Sequence, residues 1–230
     1  MHESSFIDLF GMNHLFTLFL ALVLRFIYLF VFLLTLPLLA FLYFIILFID
    51  GRPVFFKQNR VGSHGNVFTL YKFRTMSVGA HLVRDGLAVL SNDKRISPLG
   101  KILRKFSLDE IPQILNLLNG TVNIVGPRAM LPEQICYLNE TQLLRFSVKP
   151  GLVGLATING RASIPWSKRL EYDVKYIQER SLLIDMKIMF KSILMVLRGD
   201  NIYYDHNKYG PAFDLVDPSN LPQSGKSDYV

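Results

Sequence analysis

The chain of 230 residues contains one cysteine, one tryptophan and, before residue 50, only two acidic residues. No disulfide can form within it, and nothing favours an oxidising compartment. We expect Cys136 to be a buried thiol rather than a nucleophile, because no histidine lies in a recognisable partner motif. The sequence also lacks an internal repeat, a metal cluster of His and Cys, and a Ser/His/Asp arrangement in a recognisable context. A zinc module and a triad hydrolase are therefore disfavoured.

Charge is missing from a long stretch near the N-terminus. From Leu15 to Ile49 the only charged residue is Arg25, and residues 26–49 contain neither charge nor glycine. These 24 residues would form a helix of about 36 Å at ~1.5 Å per residue, longer than the roughly 30 Å of a bilayer core. Pro37 lies near the middle, where it would remove a hydrogen bond and bend the helix.

Two arrangements of this apolar segment are open from the residues alone. It is either a kinked span or a re-entrant hairpin that bends at Pro37 and returns to the same cytoplasmic face. Basic residues stand on both sides of it: Arg25 before, and Arg52, Lys57 and Arg60 after. A simple span should be more one-sided.

The net charge of +7 is concentrated just after the apolar segment. Residues 50–110 hold 11 basic and 5 acidic residues, whereas residues 111–230 hold 13 and 11. This placement indicates a membrane surface or an acidic ligand more than nucleic acid, which we do not expect as a partner.

The pattern after residue 50 predicts a small α+β domain, mainly helical, over residues 50–199. Short strands are predicted at 54–56 and 67–71, and a glycine-containing loop at 149–154. Amphipathic helices are predicted at 100–105, 111–118, 131–146, 167–179 and 181–197. The last of these suits a packed core or a membrane interface. Residues 1–14 are predicted to be a short lead and residues 200–230 a loosely ordered tail.

Two adjacent carboxylates, Asp109 and Glu110, lie in the most basic part of the chain. Carboxylates among fixed cations can stay ionised, bind a divalent metal or attack a phosphorus atom, which suits chemistry on a diphosphate. A structural interpretation competes with this one. Ser107 and Glu110 have the spacing of a capping box, in which Ser107 would be the N-cap of a helix and Glu110 would reach back to it.

Nine short motifs, in order after the proline-broken apolar segment, make the chain resemble the bacterial sugar transferases, the monotopic phosphoglycosyl transferases, from about Arg25 to about Arg198. The motifs are Asn59-Arg60-Val61-Gly62, Tyr71-Lys72-Phe73-Arg74-Thr75-Met76, Asp93-Lys94-Arg95-Ile96, Gly100-Lys101-Ile102-Leu103-Arg104-Lys105, Ser107-Leu108-Asp109-Glu110-Ile111-Pro112-Gln113, Val125-Gly126-Pro127-Arg128, Lys149-Pro150-Gly151, Gly160-Arg161 and Asp185-Met186-Lys187-Ile188.

The resemblance implies transfer of a sugar 1-phosphate from a UDP-sugar to undecaprenyl phosphate, with release of UMP. Asp109 would be the nucleophile and carry a covalent phosphosugar. Glu110 would help to hold Mg²⁺, together with Asp109, or handle the acceptor's proton. Residues that would bind the nucleotide or phosphates are Arg104 and Arg128 and, as weaker candidates, Lys72, Arg74, Lys149 and Arg161.

The resemblance also implies a topology and a setting. The apolar segment over 15–49 would be the re-entrant hairpin bent at Pro37, and the catalytic domain over 50–199 would lie on the cytoplasmic face of the bacterial inner membrane. Its partners would be membrane lipids and downstream glycosyltransferases, in a pathway for a capsule, an O-antigen or another surface glycan.

The chain departs from the family pattern at Leu36, Thr121-Val122-Asn123, Ala129, Leu155 and Thr157. The departures at Leu36 and residues 121–123 motivate a second hypothesis. A non-catalytic membrane module that binds lipid phosphate or recruits partners is the alternative to the transferase. The intact Asp109–Glu110 pair argues against this alternative.

Overall fold

The computed structural model of the chain describes residues 14–80 and 93–199. The predicted lead, apart from His14, and the predicted tail lie outside the described residues. Within them the chain is mainly helical, with two small two-stranded sheets. This confirms the predicted fold class in its coarse form, a small α+β domain attached to an apolar N-terminal helix.

Helix α1 (His14–Ile49) is a single element of 36 residues that continues through Pro37. Its part Arg25–Ile49 has a mean hydropathy of 2.8 and is only 11% buried against the rest of the protein. The helix is thus long and apolar enough to cross a membrane, and its exposed apolar surface indicates membrane association. The choice between a span and a re-entrant hairpin stays a prediction.

A β-hairpin follows α1 and confirms the two predicted strands, each longer than expected. Strand β1 (Phe55–Val61) pairs antiparallel with β2 (Val67–Phe73), in a register from Phe55 opposite Phe73 to Val61 opposite Val67. A 3-10 turn (Ser63–Gly65) connects them.

Helix α2 (Pro98–Lys105) leads into the acidic pair and starts at the N-cap Ser97, whose side chain accepts a hydrogen bond from Gly100 N. The next segment is a 3-10 turn (Leu108–Gln113), and only then does α3 (Ile114–Leu118) begin. The predicted helix over 111–118 is therefore α-helical only in its second part, because Pro112 lacks the amide hydrogen that a regular helix would use.

The capping-box interpretation of Ser107 and Glu110 is wrong. Ser107 adopts a left-handed conformation with φ of 54°, and its side chain makes no capping hydrogen bond. An N-cap residue is normally extended, so this backbone cannot present the hydroxyl to the turn that follows. The Glu110 side chain is engaged by cations instead.

The second half of the domain is built from short elements. Strand β3 (Asn123–Val125) pairs in parallel with β4 (Gly151–Val153), which lies in the stretch predicted to be a loop. The predicted helix over 131–146 is wrong: the chain there forms a 3-10 turn (Pro132–Tyr137), helix α4 (Glu140–Leu143) and another 3-10 turn (Leu144–Ser147). The remaining elements are α5 (Leu155–Ile158), a 3-10 turn (Arg161–Ser163), α6 (Trp166–Glu179) and α7 (Leu182–Arg198).

Two apolar clusters hold these elements together. The junction cluster, which joins the last turns of α1 to the hairpin and α2, contains Leu42, Ile46, Val54, Phe73 and Leu103. A second cluster packs α6 and α7 against β3, through Val125, Tyr176 and Ile188. The body of the domain, the described residues after α1, is therefore built directly onto the end of the apolar helix.

Cys136 is exposed, so its expected burial is wrong. It lies on the 3-10 turn Pro132–Tyr137, in which Gln134 is the residue that points inward, with 1% of its surface exposed. The Cys136 thiol donates a hydrogen bond to the Glu133 carbonyl oxygen at 3.2 Å.

Candidate active site

A cavity of about 470 Å³ opens beside the acidic pair. Its walls come from the β1–β2 hairpin, α2, the 3-10 turn Leu108–Gln113, the loop that begins at Arg128, and α5 and α6. Asp109 and Glu110 both line it. The fold thus places the most basic stretch of the sequence and its carboxylates around one hollow.

Asp109 is the buried carboxylate of this cavity, with 6% of its surface exposed. It accepts no hydrogen bond and forms no ion pair with any residue that the structure describes. Burial and the negative Glu110 raise the pKa of Asp109, whereas Lys72, Arg104 and Arg161 oppose that rise. Its carboxylate oxygens are therefore available to a ligand, in a place where cations favour the ionised form.

Glu110, in contrast, is fully engaged. Its Oε1 lies 2.8 Å from Lys72 Nζ and also accepts from Arg128 Nη2, while Arg128 Nη1 reaches Oε2 at 3.4 Å. Burial alone would raise the pKa of Glu110, but Arg128 and Lys72 hold it well below the usual value. A carboxylate with so low a pKa is a weak proton acceptor. In this structure Glu110 pairs with Lys72 and Arg128 at the cavity.

Two further arginines line the cavity close to Asp109. Arg104 donates through Nε to Thr75 Oγ1 at 2.9 Å. Arg161 donates through Nη2 to Ser107 Oγ at 2.6 Å, and its buried Nη1 has no hydrogen-bond partner among the residues that the structure describes. Ser107 thus contributes to the site by anchoring Arg161, and an unpaired guanidinium nitrogen is free to meet an anion.

Two predicted phosphate binders do not present their cations to the acidic pair. Arg74 is buried in the cavity wall, but its guanidinium donates to the backbone carbonyls of Asp50, Gly51 and Arg52. Lys149 is exposed and is not part of the cavity wall. The structure therefore brings Arg104, Arg128, Lys72 and Arg161 together around the acidic pair, whereas the Arg74 guanidinium is engaged by the backbone and Lys149 lies outside the cavity.

Sequence reasoning missed a buried ion pair behind Arg128. Arg145 Nη2 lies 2.8 Å from Asp173 Oδ2 and also donates to the Arg128 carbonyl at 2.6 Å. Both charged side chains line the cavity and are almost completely buried. The only sequence signal is an arginine placed between Leu144 and Phe146, where an apolar residue would fit the pattern.

Arg60 was also missed as part of the site. It lines the cavity and donates to the Ala129 carbonyl at 3.1 Å and to Gln58 Oε1 at 2.6 Å. Burial and the nearby Arg128 lower the pKa of Arg60 to about 10, so it remains a cation at neutral pH.

The described residues contain no group of three or more His, Cys, Asp and Glu side chains that could hold a metal ion alone. Mg²⁺ does not require such a group, because it is commonly held by one or two carboxylates and by phosphate oxygens of the substrate. The unpaired carboxylate of Asp109 supplies a suitable oxygen donor. The residues therefore fit Mg²⁺ when a bound phosphate completes its shell.

Comparison with known proteins identifies a family. The family model for the bacterial sugar transferases matches residues 14–199, which is most of the chain. The chain belongs to the bacterial sugar transferase family. The predicted membership is confirmed, and the protein is a transferase enzyme.

Named relatives of this sugar transferase extend the comparison. The uncharacterized sugar transferase EpsL of Bacillus subtilis is 44% identical over 153 residues, which are 66% of this chain and 74% of that protein. The undecaprenyl-phosphate galactose phosphotransferase of Salmonella typhimurium is 34% identical over 168 residues, covering 67% and 35%. The UDP-glucose:undecaprenyl-phosphate glucose-1-phosphate transferase of Escherichia coli is 40% identical over 151 residues, covering 61% and 32%. The match spans only about a third of these last two proteins.

The departures of this sugar transferase from the family pattern fall into two groups. Ala129 and Thr157 line the cavity, where they can affect what binds. Leu155 packs against the second apolar cluster, and the Thr121 hydroxyl bonds to Asn116 and Asn119. Leu155 and Thr121 are therefore accommodated by packing and by local hydrogen bonds, and neither lines the cavity.

Proposed function

We propose that this sugar transferase moves a sugar 1-phosphate from a UDP-sugar to undecaprenyl phosphate and releases UMP. Two relatives whose names describe undecaprenyl-phosphate sugar transfer support the acceptor, and one of these names supports a UDP-sugar donor. The observation that carries the proposal is the unpaired, buried carboxylate of Asp109 in a cavity lined by Lys72, Arg104 and Arg161.

Asp109 is the proposed nucleophile. A carboxylate oxygen attacks the phosphorus that bears the sugar, and the bond from that phosphorus to the oxygen of UMP breaks. UMP leaves, and the sugar phosphate remains on Asp109 as an acyl phosphate. A phosphate oxygen of undecaprenyl phosphate then attacks the same phosphorus, which frees the Asp109 carboxylate and forms undecaprenyl diphosphate sugar.

The cations supply most of the stabilisation. Charge builds up on the phosphoryl oxygens in each transfer, and fixed guanidinium groups stabilise it without having to reorganise. Glu110 keeps Lys72 and Arg128 in place. A general base is not required, because a phosphate monoester with a second pKa near ~6 is already largely a dianion at neutral pH.

Mg²⁺ is the proposed cofactor. Asp109 would hold it together with phosphate oxygens of the donor, and Glu110 would take part if a cation released one of its oxygens. When bound, the ion would neutralise negative charge on the diphosphate. The protein's own contribution is to keep Asp109 oriented and to hold the surrounding arginines.

The exposed apolar helix α1 supports a membrane setting. We place the catalytic body on the cytoplasmic face of the bacterial inner membrane, where UDP-sugars are soluble and undecaprenyl phosphate is embedded in lipid. The reaction would be the first membrane step of a surface polysaccharide or glycan pathway, and later glycosyltransferases would use its product.

The proposal is tested by measuring UMP release from the full chain in nanodiscs with Mg²⁺, undecaprenyl phosphate and a panel of UDP-sugars. We expect one sugar to give continuous release that depends on the acceptor, beyond a single burst, and that disappears in Asp109→Asn. Cys136→Ser, at an exposed position away from the cavity, is the matched control and should retain the activity. If folded protein in nanodiscs released no UMP with any sugar of a wide panel, the non-catalytic module would be favoured.

A further inference from the structure

Arg74 links the apolar helix to the catalytic body. Its side chain is buried at the end of β2, with 9% of its surface exposed. Nη1 donates to Arg52 O at 2.8 Å, and Nη2 donates to Gly51 O at 2.9 Å and to Asp50 O. Three consecutive carbonyls of the turn after α1 thus converge on one guanidinium, whose planar fork presents several donors in a fixed geometry.

Asp50 provides a second link from the same turn. Its Oδ2 accepts from Ser97 Oγ at 2.8 Å, and that hydroxyl oxygen accepts from Gly100 N at 2.8 Å. Because Ser97 is the N-cap of α2, the end of α1 is tied to the beginning of α2. The junction cluster adds packing, since Leu42 and Ile46 of α1 are buried in it.

The same contacts continue to the wall of the cavity. Thr75 follows Arg74, and its carbonyl accepts from Ser97 N at 3.1 Å while its hydroxyl accepts from Arg104 Nε at 2.9 Å. Gly100 packs so closely that a Cβ there would lie 2.2 Å from Thr75 O. A contiguous set of contacts therefore runs from the turn after α1 to Arg104, which lines the cavity with Asp109.

We propose that Arg74 is a positioning residue that fixes the catalytic cavity relative to the end of α1. It thereby sets whether the phosphate of an acceptor embedded in the membrane can reach Asp109. This inference rests on the proposed function. The donor arrives from water and does not depend on the direction of α1, whereas the acceptor phosphate is confined to the bilayer surface.

The two steps of the reaction separate this role from a general loss of structure. With Arg74→Gln in nanodiscs, the burst of UMP in the absence of acceptor should stay within about twofold of the wild type. Transfer to undecaprenyl phosphate in the same nanodiscs should fall roughly tenfold or more, because a misplacement of about 1 Å can cost up to ~10²-fold. Transfer to a water-dispersed ten-carbon prenyl phosphate should fall no more than the burst does.

Matched variants test whether the loss of transfer comes from the guanidinium contacts of Arg74. Arg74→Lys keeps the charge but cannot span three carbonyls, so it should show a smaller loss of the same selective kind. Lys57→Gln removes a cation from an exposed position on β1 of the same hairpin and should behave as the wild type. If Arg74→Gln fails to fold, Asp50→Asn keeps the guanidinium contacts and weakens only the link to Ser97; a selective loss is again expected.

The outcomes are distinguishable. Equal losses in the UMP burst, in transfer to undecaprenyl phosphate and in transfer to the short prenyl phosphate would overturn the positioning role. Unchanged transfer to undecaprenyl phosphate in folded Arg74→Gln would overturn it as well. A wild-type protein that releases no UMP at all would instead overturn the proposed function.

Discussion

The ion pair between Arg145 and Asp173 makes a specific prediction about stability. The two side chains are 2% and 5% exposed. Burial raises the pKa of Asp173 to about 6, and the attraction of Arg145 and Arg169 opposes that rise without cancelling it. The Asp173 carboxyl therefore holds its proton more tightly in the folded chain than in the unfolded one, where its pKa is 3.8.

The sign and size of the effect follow from linkage. Because the folded pKa is raised, the contribution of Asp173 to the free energy of unfolding is complete below about pH 4 and is lost as the pH rises through about 6. A shift of about two units at ~1.36 kcal/mol each corresponds to about 3 kcal/mol. In a chain of this size that equals a change in Tm of about 6–12 °C.

The assay compares the thermal unfolding of the wild type and Asp173→Asn in one detergent from pH 4 to pH 8. The advantage of the wild type over the variant should shrink by about 3 kcal/mol across this range. Asp93→Asn is an informative control: hydrogen bonding to Arg95 lowers the pKa of Asp93, so its contribution is complete above its ordinary pKa of 3.8 and the difference from the wild type should stay nearly constant from pH 4 to pH 8. A constant difference between the wild type and Asp173→Asn would refute the reasoning.

Three further changes test the site. Glu110→Gln should lower the rate of UMP release by about 10²-fold or more, because Lys72 and Arg128 lose their anchor. In the same variant the pKa of Asp109 should fall, so that the acid limb of the pH profile moves to lower pH; an unmoved limb would argue against this coupling. Arg128→Lys should cost roughly tenfold in the same assay, since a single ammonium cannot replace the guanidinium fork. Gly100→Ala should lower stability by about 1–3 kcal/mol, seen as a lower Tm, because of the contact with Thr75.

Long periodic elements could be predicted from the sequence because burial of one face imposes a repeat on the residues. The hairpin β1–β2 and helices α2, α6 and α7 all lie within a few residues of their predicted positions. In α7 the N-cap Ser181 and the C-cap Gly199, with φ of 70°, mark the two ends of the helix.

Short elements could not be predicted, because contacts distant in sequence decide them. Strand β4 looks like a loop since it starts at Gly151 after Pro150. That glycine is required by the pairing with β3: a Cβ there would lie 2.1 Å from Gly126 N. The predicted helix over 131–146 fails for a similar reason, because Asn139 caps the new helix α4 in the middle of the apolar pattern.

The candidate site was predicted in part. Asp109, Glu110 and the nearby basic residues stand out in the sequence, and most of them line one cavity. Local spacing could not tell that Glu110 would pair with Lys72, which is far away in the chain, rather than cap its own turn. Local spacing also could not show that the Arg74 guanidinium would donate to backbone carbonyls, since a buried arginine and a ligand-binding arginine look alike in a motif.

The most direct test of the central claim is the intact mass of the protein after incubation with its UDP-sugar and Mg²⁺ in the absence of acceptor. The account predicts a mass increase of one phosphosugar, located at Asp109 by peptide analysis, removed by undecaprenyl phosphate and absent from Asp109→Asn. Release of UMP without any such adduct, or an adduct that persists in Asp109→Asn, would contradict the assignment of Asp109 as the nucleophile.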